Sequence, residues 1–100
     1  MAKVVELRPR HPLLGTWFDP SGDSTAEFTV TFEAGVFAVS GVDASDGERF
    51  EISEVHWNGE ALSFIGLMPS TQWRTRHVFR FAGESQVEHE CIHIEVWSKR

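Results

Sequence analysis

Apolar residues return at alternate positions along nearly every segment of this chain, and no long stretch carries a helical stripe. In residues 25–33, Phe28, Val30 and Phe32 point one way, while Glu27, Thr29, Thr31 and Glu33 point the other. That alternation is the mark of a half-buried antiparallel strand. Turn-forming groups punctuate it at residues 19–23, 34–35, 43–47, 58–59, 69–71 and 83–85. Between them lie about seven short strands in up-and-down order, which predicts an all-β fold. The expected architecture is a single small antiparallel barrel or a strongly curved sheet, since closure removes the exposed edges that a flat seven-stranded sheet would carry.

The hairpins set their own register. With a two-residue turn at Ala34-Gly35, Phe32 faces Phe37, Val30 faces Val39 and Phe28 faces Gly41. Asn58-Gly59 is the strongest turn signal and predicts strands over 48–57 and 60–68, with Trp57 opposite Glu60, Val55 opposite Leu62 and Ser53 opposite Phe64. Further along, Phe50 and Ile52 pair with Leu67 and Ile65, so either a bulge near Ser53-Glu54 switches faces or both faces are partly covered. Residues 72–82 and 86–97 form the last hairpin. An odd-length connection places Phe81 opposite Val87 and Arg80 opposite Glu88; a two-residue loop would set a carboxylate against the ring of Phe79.

One hundred residues allow one domain, with 1–12 as a lead-in and 13–97 as strands. Glu6, Arg8 and Arg10 interrupt the apolar run of roughly 7–15 residues that a secretory signal needs. No stretch approaches the roughly 18 apolar residues of a membrane span. The single Cys cannot form an internal disulfide, which fits a cytoplasmic protein. The net charge is −6, and residues 19–60 hold ten acids against Arg49 alone. An acidic domain repels phosphate backbones, so no nucleic-acid partner is expected.

The last hairpin concentrates the polar chemistry. Its odd-numbered face carries Trp73, Thr75, His77, Phe79 and Phe81 against Glu95, His93, Cys91, His89 and Val87. The other face sets Arg74, Arg76, Val78 and Arg80 against Ile94, Ile92, Glu90 and Glu88, with Arg80–Glu88 as an exposed ion pair. The arginines belong outside, so the first face is expected to line the interior. Three readings stand for it. Trp73, Thr75, His77, His89, Cys91, His93 and Glu95 could bind a small, largely apolar molecule, an aromatic wall with a few polar groups. His77, His89, Cys91 and His93 could instead hold zinc or copper, since these ligand types share one strand face. The third reading is a polar but internally satisfied interior, with Cys91 as a small buried hydrophobe.

Elsewhere the signals are structural. His56 is expected at the surface, and His11 lies in an extended lead-in before Pro12. Ser70-Thr71 reads as a turn, and Glu51 and Glu54 fall on opposite strand faces, so no catalytic pair stands out. Ile92, Ile94 and Val96 form an outer apolar stripe, to be covered by Val4, Val5 and Leu7 or by a second copy in a homodimer; the stripe also raises the alternative of a protein-interaction module.

Gly15-Thr16-Trp17 opens the first strand of this meander and resembles the Gly-x-Trp at the start of lipocalins and other calycins. The resemblance implies a barrel whose closed end is crossed by Trp17, with an arginine over the indole; Arg74 and Arg100 are the candidates. It further implies non-catalytic binding of a small apolar molecule inside. The chain is shorter than a typical lipocalin by a strand or more and by the usual C-terminal helix.

Overall fold

The turns cut the chain into seven antiparallel strands in a computed structural model that describes residues 11–83 and 85–100. They are β1 (Gly15–Phe18), β2 (Ala26–Glu33), β3 (Val36–Asp43), β4 (Glu51–Trp57), β5 (Ala61–Met68), β6 (Trp73–Gly83) and β7 (Gln86–His93). Strands β1-β2-β3 form one sheet and β4-β5-β6-β7 another. A bridge between Val42 and Arg49 joins the two, and the Phe50 amide donates to the Gly41 carbonyl at 3.0 Å. Strand order therefore follows chain order throughout. No helix occurs among the described residues, so none there is long and apolar enough to cross a membrane.

The expected barrel does not close among the described residues: no pairing joins β1 to β7. The four residues of β1 offer a short edge to the eight of β7. What remains is an open meander whose two sheets share one core. Phe28 and Val30 of β2 meet Leu62 and Phe64 of β5 and Phe79 of β6, with Leu13 beside them. The Phe28 ring lies 5.0 Å from Phe64 and 6.3 Å from Phe79, both edge to face, the arrangement aromatic quadrupoles favour.

Two hairpins keep their expected register. Ala34 and Gly35 both take positive φ, 53° and 82°, and Phe32, Val30 and Phe28 face Phe37, Val39 and Gly41. Glycine is required at 41, because a Cβ there would lie 2.6 Å from the Phe28 ring. In the last hairpin Arg80 faces Glu88 and Phe81 faces Val87. The ion pair, however, forms diagonally, from Arg80 to Glu90 at 2.8 Å rather than to Glu88.

The β4–β5 hairpin slips from the expected register. Trp57 pairs with Leu62 instead of Glu60, because the Asn58 carboxamide oxygen accepts from the amides of Glu60 and Ala61, both at 2.8 Å, and lengthens the turn. The register then shifts between Ser53 and His56, with Glu54 at φ 53°, so the bulge alternative is the one realised. His11 also departs from expectation: its ring packs edge-on against Phe37 and Trp57, both at 5.0 Å. The Trp17 indole donates to the Leu13 carbonyl at 2.8 Å. Arg74 stands elsewhere, beside Trp73 and Trp97.

Candidate functional site

The odd-numbered face of the β6–β7 hairpin points as expected, yet only part of it is interior. His77 and Phe79 are 7% and 3% exposed, and Thr75 is half-buried. Trp73 is 56% exposed, and His89, Cys91, His93 and Glu95 are exposed. The correction has a plain cause: among the described residues β7 is an edge strand, and without closure no described strand covers its inner face from the far side. Nor is there an apolar cup at the middle of the hairpin, since Phe28, Phe64 and Phe79 fill that space. The seven candidate residues divide into two groups and two residues apart, the half-buried Thr75 and Cys91, a free exposed thiol.

The first group lies at the core. β6 carries His77 beside β5 and under β2, where its ring stacks on its cross-strand neighbour Phe64 at 5.2 Å and meets Phe28 of β2 at 4.6 Å. Its polar contact is His89, two strand positions before Cys91: His77 Nδ1 and His89 Nε2 are 2.8 Å apart, with the rings within 10° of parallel. One nitrogen donates and the other accepts, so this contact needs at least one neutral ring. Burial holds the His77 proton affinity down to about 4, helped by the charge His89 can carry. Burial also lowers His89, opposed by the carboxylate of Asp19. Asp19 is itself kept ionised by the hydroxyl and amide of Ser21.

The second group lies where β6 begins and β7 ends. The His93 ring stacks on Trp73 with centroids 3.7 Å apart and planes 17° apart. His93 Nδ1 donates to the Arg74 carbonyl at 3.1 Å, which fixes the ring over the indole. Glu95 bridges onward, 3.6 Å from His93 Nε2 and accepting from the Trp97 indole at 3.1 Å. Together with Leu67, Gln72, Ile94 and Val96 these residues line an open groove of about 450 Å³.

Trp97 and Gln72 were not among the sequence candidates. The signal for Trp97 was present: it is the next odd position after His93 and Glu95. Gln72 enters through a left-handed turn at φ 59°, which no residue pattern announces. Among the described residues no three His, Cys, Asp or Glu side chains gather to hold a metal ion, so His77, His89, Cys91 and His93 do not converge as one site. On the outer face Ile92 is 54% exposed and Ile94 half-buried. The cover expected from Val4, Val5 and Leu7 lies outside the described residues. Ser70 serves as a structural clamp, its hydroxyl and amide bound to the Glu48 carboxylate at 2.7 and 2.9 Å.

The hairpin thus defines an open β-meander with a buried imidazole pair at its centre and an aromatic groove at one end. Comparison with protein-family models, curated proteins and solved structures finds no match to this chain.

Proposed function

We propose that the protein binds a small, flat, largely apolar molecule without transforming it, and that the molecule lies in the groove of Trp73, Trp97 and His93. The observation that carries this reading is the Trp73–His93 stack. One face of the indole is taken by His93, yet the side chain remains more than half exposed, so its other face is open to the groove. A flat apolar ring laid there buries surface on both sides and gains about 25 cal/mol per Å² removed from water. Arg74 supplies a cation and Gln72 a carboxamide, while the Glu95 carboxylate is engaged by His93 and the Trp97 indole, so a ligand with one acidic or carbonyl oxygen is favoured. Leu67, Ile94 and Val96 join the two indoles as the apolar part of the lining, and Gln72, Arg74, His93 and Glu95 supply the polar part.

Anilinonaphthalene sulfonate has the required chemistry: flat, apolar and anionic. Its fluorescence is expected to rise saturably with the folded protein, and Trp73→Ala is expected to remove that signal while the far-ultraviolet spectrum stays unchanged. A signal equal in wild type and Trp73→Ala contradicts the assignment.

A further inference from the structure

The His77–His89 pair is the least ordinary arrangement in the molecule. The centroid distance of 5.1 Å is the 2.8 Å contact plus one ring radius at each end, so the rings meet end to end and nearly in one plane. Each contacting nitrogen therefore directs its lone pair, or its single proton, at the other. We infer that this pair is a two-coordinate site for a soft monovalent cation, copper(I), with His77 Nδ1 and His89 Nε2 as the two ligands in line.

The donor set selects the ion. Zinc takes four ligands and calcium six to eight, and among the described residues no third His, Cys, Asp or Glu side chain gathers with these two. Copper(I), a d10 ion, is satisfied by two nitrogens opposite each other. The surroundings agree. Phe28 and Phe64 pack against the His77 ring, and Phe79 meets the His89 ring at 5.2 Å. Such a lining penalises a second positive charge more than a first. The Asp19 carboxylate lies close enough to act on His89 and offsets the one charge the ion brings.

The mechanics are equally local. At about 2 Å per metal–imidazole bond, the two nitrogens must part by about 1 Å. His77 is packed against Phe28 and Phe64, but His89 is exposed on the edge strand of the described sheet, so the opening falls to β7. Binding releases no proton when His89 is the donor: its Nε2 proton moves to Nδ1, and His77 keeps its proton on Nε2 throughout.

Silver(I) is the test probe, being air-stable, diamagnetic and of the same charge and coordination habit. The background is Cys91→Ala, because an exposed thiol binds silver by itself. In the 100-residue Cys91→Ala chain labelled with 15N-histidine, one equivalent of silver nitrate is expected to bind. One-bond silver couplings should appear on His77 Nδ1 and on His89 Nε2. Adding His89→Gln should weaken binding by at least ~10-fold, the lower end of what even outer-shell changes cost a metal site. Copper(I) competed from its bicinchoninate complex should follow the same two variants. Silver that binds Cys91→Ala no better than it binds the double variant, or that couples to neither imidazole, overturns the assignment.

Discussion

Two parts of the β6–β7 hairpin, its middle at the core and its open end, each stack a histidine on an aromatic ring, and they do opposite things with it. At the core end Phe28 of β2 covers His77, which stacks beside Phe64, its cross-strand neighbour on β5. At the open end no described strand covers His93, which instead lies over Trp73 and leaves a groove beside it. Residue type does not separate the two. The difference is what the rest of the meander places above each pair, and an imidazole inside the core becomes a constraint on stability while one at the rim becomes part of a surface.

The largest expected effect lies at the core end. Phe64 is fully buried, so Phe64→Ala should cost about 3–5 kcal/mol in urea denaturation. A loss below 1 kcal/mol would place the core elsewhere. Next comes acid. The folded-state proton affinity of His77 falls from 6.5 to about 4, so the native protein binds fewer protons than the unfolded chain between those values. Its contribution is complete above pH 6.5 and is lost as the pH falls towards 4, on the order of 2–3 kcal/mol. His77→Phe should flatten that dependence in a urea-midpoint series and leave stability near pH 7 little changed, because His89 can turn to water. An unaltered acid slope would assign it to other groups.

Gly41→Ala tests how tightly the shared core is closed. A Cβ 2.6 Å from the Phe28 ring requires a shift, and about 1–3 kcal/mol of destabilisation is expected, read from the same denaturation curves. The smallest effect on stability belongs to the open end: Trp73→Ala should cost under ~1 kcal/mol while removing dye binding. A cost as large as that of Phe64→Ala would erase the distinction between the two ends.

Much of the fold was legible because apolar residues had only one way to meet. Phe32 with Phe37 and Val30 with Val39 settle one hairpin, and avoiding Glu88 against Phe79 settles another. The β4–β5 register was not legible, because it turns on a single carboxamide: Asn58 caps two amides and extends the turn by its own hydrogen bonds. Closure was not legible either, since strand count says nothing about whether the four-residue β1 reaches β7. That alone moved His89, Cys91 and His93 from an expected interior to the surface. Period two placed His77, His89 and His93 on one face, but which of them lies under β2 depends on the curvature of the whole meander.

The groove at Trp73 carries the functional reading, and amide and indole shifts in a heteronuclear NMR titration test it most directly. With anilinonaphthalene sulfonate added to 15N-labelled protein, shifts are expected to cluster at Trp73, His93, Glu95 and Trp97, with Phe64 and His77 unmoved. Shifts centred on Phe64, Phe79 and His77, or none along the groove, would contradict it.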